Sequence, residues 1–114
     1  MVTLDLNHLK KIVGDDPDFL RKVLQIFITN APKDVDELAK FAADGDYEKV
    51  AFFAHRLKSA AAAIGFNEAY EAFKEIEVGS KKLDPMDNLL VKVNTMKSHC
   101  DECVADIKAV METL

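Results

Sequence analysis

The stretch that most constrains the fold runs from Ala54 to Gly65 and reads AHRLKSAAAAIG. It contains no turn-forming residue before its closing glycine, and it follows Asp46, a residue type that caps helix N-termini. Apolar residues in and just before this stretch recur at spacings of three and four, as on one helix face. They are Val50, Phe53, Ala54, Leu57, Ala60, Ala61 and Ile64. The pattern predicts an amphipathic helix that Asp46 caps and Gly65 ends.

His55 lies on the other face of this predicted helix. At about 100° per residue, it points roughly 160° away from the middle of the apolar stripe. Lys58, Ser59 and Ala62 follow His55 at three, four and seven positions and share its face. A neutral imidazole is a good nucleophile, and an ammonium group one turn away can hold an anion such as a phosphoryl group. Because the stretch offers no general base or metal ligand set, His55 is expected to accept and donate a group rather than to hydrolyse a substrate.

The spaced set of residues around His55 resembles the signature of histidine-containing phosphotransfer (HPt) domains. The matching positions are Gly45-Asp46, Val50, Ala54-His55, Leu57-Lys58, the small residues 59 to 61, Ile64-Gly65 and, further on, Ile76-Glu77. The family often has Leu-Glu at the last pair and Gly or Ser where Ser59 stands. Ala69 and Ala72 depart from the family, which commonly has Leu there.

This resemblance implies that His55 is the phosphoacceptor and that Lys58 stabilises the phosphoryl charge, with Ser59 and Gly65 as motif residues. It implies a relay between aspartate-bearing receiver domains in a two-component phosphorelay, with a hybrid histidine kinase as a further partner. Mg²⁺ would belong to the receiver, so no intrinsic cofactor or metal is expected. The alternative is a non-catalytic helical module that binds a receiver or another signalling partner. Intact His55 and Lys58 weigh against the alternative, since a pure binder needs neither.

The length, net charge and apolar runs of the chain restrict its domain count and its function. The chain has 114 residues, which predicts one domain spanning residues 1–114. A net charge of −5 argues against nucleic acid as the main partner, and no apolar run is long enough for a membrane span. No phosphate-binding glycine loop is present, which favours a phosphocarrier over an autonomous kinase. We expect a monomeric, cytoplasmic protein, and the initial Met1 favours a free-standing one over a domain of a larger kinase.

Helical patterning continues on both sides of the histidine helix. The further segments are residues 4–13, a helix capped by Asp16 and carrying Pro32, a helix capped by Asn67 and ended by Gly79-Ser80, and a last helix opened by Asp84-Pro85. Pro32 predicts either a kinked long helix or two helices that meet there. With no strand alternation, the expected fold is all-α: an antiparallel up-and-down four-helix bundle with a short additional N-terminal helix.

Three smaller features have alternative interpretations. Phe52 precedes His55 by three residues and lies off the apolar stripe, so it could dock a partner or pack against a neighbouring helix. Cys100 and Cys103 follow His99 closely, but they lie on the inward stripe of the last helix, and no second cysteine pair completes four metal ligands. Core packing is therefore favoured for the cysteines. His8, three residues after an aspartate, is expected to form a surface pair.

Overall fold

The computed structural model describes residues 6–81 and 89–114, and the regular structure in these ranges is entirely helical. The helices are α1 (Leu6–Val13), α2 (Pro17–Asp44), α3 (Tyr47–Ile64), α4 (Asn67–Lys81) and α5 (Leu89–Met111). The predicted all-α class is confirmed. The expected helix opening at Asp84-Pro85 and the start of the first helix at residue 4 lie outside the described residues.

The bounds of α3 agree with the sequence. The Asp46 carboxylate accepts a hydrogen bond from the backbone N–H of Lys49 at 3.3 Å, which satisfies one free donor of the first turn. At the other end, Gly65 adopts a left-handed φ of 82° and its N–H bonds back to α3. Asp16 caps α2 in the same way, by accepting from the N–H of Asp18 at 3.0 Å. Local capping therefore fixes the length of the histidine helix.

Two predicted interruptions are not helix ends. α2 continues through Pro32 as one helix, so the two-helix alternative is wrong. Residues buried on both sides of the proline, Ala31 and Val35, pack into one core and outweigh the lost backbone hydrogen bond. α4 continues past the predicted stop at Gly79-Ser80 to Lys81. Gly79 does not adopt the positive φ of a terminating glycine, and Ser80 is fully buried.

The helices pack in a ring, in which α2 contacts α3 and α5, while α4 contacts α3 and α5. α1 packs against α2 and α3. Residues of α2 pair in opposite sequence order with α3 and with Phe66 just after it: Phe41 with Phe53, Asp34 with Arg56, and Phe27 with Phe66. Neighbouring antiparallel helices have this order. None of the described helices is long and apolar enough to cross a membrane.

The apolar stripe of α3 faces the core, as its spacing predicts. Val50, Ala54, Leu57, Ala61 and Ile64 are buried, while Phe53 and Ala60 are partly buried against the same cluster. Ile76 and Phe73 of α4 are also buried, so that the face of α4 that follows the HPt-like pattern meets α3. This packing leaves the opposite face of α3, with His55, at the surface.

Candidate functional site

His55 is exposed, with 59% of its side chain accessible, which confirms the face predicted for it. Its Nδ1 atom lies 2.9 Å from Oε2 of Glu77 on α4. The ring is therefore held at one nitrogen by the neighbouring helix. Its role as phosphoacceptor stays a prediction at this point, because geometry alone does not test it.

Glu77 is the buried centre of the site, with only 4% of its side chain exposed. Its Oε1 accepts from Lys58 Nζ at 2.7 Å, and its Oε2 accepts from Lys81 Nζ at 2.9 Å as well as contacting His55. We call these four residues the Glu77 cluster. A buried carboxylate is costly unless it is paired and hydrogen-bonded, and here three donors satisfy it.

The protonation of Glu77 follows from these contacts. Burial by itself raises the pKa of Glu77, but hydrogen bonds from Lys58, Lys81 and His55 outweigh burial and lower the pKa to about 2. The hydrogen bond to Glu77 also raises the pKa of Lys58 above its ordinary value. Near neutral pH the cluster thus contains an ionised carboxylate between two ammonium groups.

An ionised Glu77 selects one tautomer of His55. A carboxylate can only accept hydrogen bonds, so the Nδ1 atom of His55 must carry the hydrogen. In the neutral ring the Nε2 atom then keeps its lone pair. With neutral His55, the cluster has one negative and two positive charges, and this net positive charge favours the approach of an anion.

Two grooves meet at His55. The α3/α4 groove has a volume of about 560 Å³ and is lined by Glu48, Ala51, Phe52, His55, Glu77, Ser80 and Lys81. The α2/α3 groove has a volume of about 460 Å³ and is largely apolar. Its lining residues are Val23, Ile26, Phe27, Asn30, Ala31, Asp34, His55, Arg56, Ser59, Ala60, Ala63 and Ile64. His55 is thus accessible from both sides.

The predicted motif residues occupy distinct positions. Ser59 is exposed and lines the α2/α3 groove beside His55. Gly65 ends α3, and a Cβ atom placed on it would lie 2.5 Å from Cδ2 of His8, so the His8 ring packs where only glycine leaves room. Phe52 is 55% exposed, which excludes deep packing against a neighbouring helix. Its docking role stays a prediction.

The cysteines belong to the core. Cys100 and Cys103 are buried, and burial raises their pKa values to about 11 and about 12. Both thiols are therefore protonated near neutral pH and are poor nucleophiles and metal ligands. Within residues 6–81 and 89–114, no group of three or more His, Cys, Asp or Glu side chains is placed to hold a metal ion.

Sequence reasoning missed the roles of Glu77 and Lys81. The resemblance marked Glu77 as a motif position without giving it a partner, and the predicted helix stop at Gly79-Ser80 separated Lys81 from it. The available signal was the spacing of four between Glu77 and Lys81, which places them on one helix face if the helix continues.

Fold and site together define an all-helical protein with an exposed histidine that a buried carboxylate holds. Residues 22–112 match the family model described as the Hpt domain, and the chain therefore belongs to the Hpt domain family. Membership implies phosphotransfer in two-component signalling, and family members typically interact with receiver domains and kinases. No curated protein and no solved structure shows a significant match to the chain.

Proposed function

We propose that this chain relays a phosphoryl group between aspartate-bearing receiver domains by way of phosphohistidine at His55. The contact of 2.9 Å between His55 Nδ1 and Glu77 Oε2 carries this proposal. It orients the ring, and it leaves the Nε2 lone pair for the phosphorus atom. Glu77 acts as a positioning residue, because it touches the imidazole and not the reacting phosphorus.

Phosphoryl transfer from the receiver to His55 requires no separate general base. Nε2 of His55 attacks the phosphorus of the receiver's aspartyl phosphate in line with the leaving oxygen. The N–P bond forms as the P–O bond breaks, and the aspartate leaves as a carboxylate. The ring, which keeps its hydrogen on Nδ1, gains positive charge that the Glu77 carboxylate stabilises. A second receiver reverses these steps when its aspartate attacks the phosphohistidine.

The lysines of the Glu77 cluster supply charge for this transfer. Lys58 and Lys81 both contact Glu77, which holds them beside the imidazole. An incoming phosphoryl group carries negative charge on its oxygens, and preorganised ammonium groups stabilise such charge. We propose that Lys58, one turn from His55, stabilises this negative charge more than Lys81 does. The Mg²⁺ that phosphoryl transfer commonly uses comes from the acidic pocket of the receiver in this proposal, and the chain needs no cofactor of its own.

The receiver is proposed to dock over the α2/α3 groove. This groove is apolar, ends at His55 and contains Ile26, which is 61% exposed. An exposed apolar surface next to a reactive side chain is typical of a protein interface. We propose that α2 contributes to docking through its residues between Val23 and Asp34, because these residues line the groove. Phe52 extends the same surface, because it lines the α3/α4 groove and its ring also lies beside the Arg56 guanidinium of the α2/α3 groove.

We also propose a specific arrangement of the helices, an oligomeric state and a cellular location. The chain would form a single domain of residues 1–114, an antiparallel up-and-down four-helix bundle preceded by α1. The opposite order of the α2 and α3 contacts and the short connections around Gly45 and Gly65 support this arrangement. We propose a monomer in the cytoplasm, where free thiols such as those of Cys100 and Cys103 are stable.

A panel of receiver domains charged with radiolabelled phosphate tests the proposal. Each receiver is mixed with the wild-type chain, with His55→Gln and with the matched control His99→Gln. We expect acid-labile, alkali-stable label on the wild type and the control, and none on His55→Gln. Circular dichroism should show the same helix content for all three, because neither His55 nor His99 belongs to the buried core. Label on His55→Gln would contradict the proposal, and a folded chain that no receiver labels would favour the binding-module alternative.

A further inference from the structure

Arg56, the residue after His55, is an exposed cation with a fixed orientation. Its Nε atom donates to Oδ2 of Asp34 on α2 at 3.2 Å, and 49% of its side chain is accessible. Its guanidinium carbon lies 5.8 Å from the ring centre of Phe52 and 6.0 Å from that of Phe53. A carboxylate and two aromatic rings thus hold a side chain that would otherwise sample many rotamers.

The fixed guanidinium keeps unused hydrogen-bond donors. A guanidinium has five N–H groups, and Asp34 takes the one on Nε. Within the described residues, Arg56 makes no other hydrogen bond, so both terminal nitrogens can bind something outside the chain. Two parallel N–H groups on these nitrogens match the two oxygens of a carboxylate.

The surroundings of Arg56 favour an acidic partner surface. The chain has a net charge of −5, yet basic residues gather over aromatic rings along this part of the α2/α3 contact. Lys49 lies 4.7 Å from the ring centre of Phe41, which stacks on Phe53. Arg56 and Lys49 thus both lie against aromatic rings of this contact, and an arginine next to aromatic side chains is a common interface anchor that can pair with a carboxylate.

Arg56 is on the opposite side of His55 from Glu77 and Lys81. It lines the α2/α3 groove and is bound to α2, whereas Glu77 and Lys81 line the α3/α4 groove. This separation places Arg56 among the residues that meet a docked protein rather than among those that hold the phosphoryl group.

We propose that Arg56 determines partner specificity, by binding a carboxylate on the docking face of the receiver through its two terminal nitrogens. The inference rests on the proposed function, because it specifies how the receiver of that proposal is recognised. Asp34 acts as the positioning residue that aims the guanidinium. Preorganisation lowers the entropy lost when the partner carboxylate binds.

The test uses the fastest receiver of the panel and the chain's two arginines, Arg56 and Arg21. Arg21 is a matched control because it also lies on the surface, is 43% exposed and pairs with an aspartate. We expect Arg56→Gln to raise the KM for the phosphorylated receiver about tenfold while kcat stays within about twofold. Arg56→Lys should recover only part of the loss, since an ammonium lacks the fork geometry. Arg21→Gln should behave like the wild type.

A second phosphodonor separates recognition from chemistry. Phosphoramidate phosphorylates histidine without a protein partner, so Arg56→Gln should react with it at the wild-type rate. An equal slowing with phosphoramidate would overturn the inference, because it would place Arg56 at the phosphoryl group. An unchanged KM for the receiver would also overturn it, while leaving the relay itself intact. Failure of the wild type with every receiver would instead contradict the proposed function.

The partner carboxylate can be identified by a double-mutant cycle. Acidic residues on the receiver are replaced one at a time by their amides, and KM is measured against wild type and Arg56→Gln. We expect one replacement whose effect largely disappears in the Arg56→Gln background. Additive effects for every acidic residue of the receiver would overturn the inference.

Discussion

The two sides of His55 differ in how completely their charged groups are paired within the chain. On the α4 side, Glu77 is 4% exposed, and both of its oxygens are occupied by donors from the same chain. On the α2 side, Asp34 binds one edge of Arg56 and leaves the other edge facing solvent. The first arrangement is complete before any partner arrives, whereas the second is incomplete without one. We infer that the α4 side serves the chemistry of the imidazole and the α2 side serves recognition.

The strongest test of this division replaces Glu77 by glutamine. The amide keeps the shape but removes the negative charge that, in the proposed relay, stabilises the phosphorylated ring, and it no longer selects one tautomer of His55. We expect the rate of phosphorylation by phosphoramidate to fall on the order of 10²–10³-fold. Phosphorus NMR measures this rate without any partner.

Glu75→Gln is the matched control for Glu77→Gln. Glu75 lies on the same helix, but it is exposed and pairs with Lys92 of α5. The control should react at the wild-type rate. Equal rates for Glu77→Gln and the wild type would mean that the α4 side does not contribute to the chemistry. The Glu77 cluster would then have a purely structural role.

The same carboxylate makes stability depend on pH. Its pKa is about 2 in the folded chain, below the ordinary value of 4.5, so its contribution is complete above pH 4.5 and disappears as the pH falls towards 2. A shift of this size corresponds to about 3 kcal/mol of unfolding free energy at neutral pH. Urea unfolding should show a difference between wild type and Glu77→Gln that shrinks by more than half between pH 7 and pH 3. A difference that does not change with pH would mean that Glu77 is not the titrating group.

The α2 side should respond only when a partner is present. Ile26→Asp places a charge in the apolar α2/α3 groove, and we expect the KM for a phosphorylated receiver to rise about 10- to 30-fold. Phosphoramidate should still react at the wild-type rate. Val91→Asp is the control, since Val91 is 62% exposed, like Ile26 at 61%, but lies on α5. If both variants bind the receiver equally well, the docking surface is elsewhere.

The sequence was sufficient for features that depend on local pattern, and insufficient for those that depend on two helices. Caps at Asp46 and Gly65 and the exposure of His55 follow from residue type and a period of 3.6. The contact between His55 and Glu77 spans 22 positions, and its distance depends on how α3 and α4 pack. Gly79 predicts a stop before Lys81, whereas α4 continues through Gly79 to Lys81, which pairs with Glu77 four positions earlier.

The smallest expected effect distinguishes the two lysines of the Glu77 cluster. Lys58 is 21% exposed and Lys81 is 65% exposed, so solvent screens the charge of Lys81 more strongly. We expect Lys58→Ala to slow phosphorylation of His55 about tenfold without abolishing it, and Lys81→Ala to slow it about threefold. Both effects should appear with phosphoramidate and with a receiver, because they concern the phosphoryl group itself.

Lys74→Ala is the control for both lysines, since Lys74 is exposed on α4 and lies over the ring of Tyr70. If Lys81→Ala slowed the reaction with the receiver but not the reaction with phosphoramidate, Lys81 would contribute to partner recognition. The inference that the α4 side of His55 serves only the chemistry would then be wrong. The two lysine variants could also slow the phosphorylation of His55 by phosphoramidate equally. In that case burial would not determine how much each lysine contributes to the rate, and proximity to the phosphoryl oxygens would be the stronger factor. Added salt separates these cases, because a screened lysine loses its effect at lower ionic strength than a half-buried one.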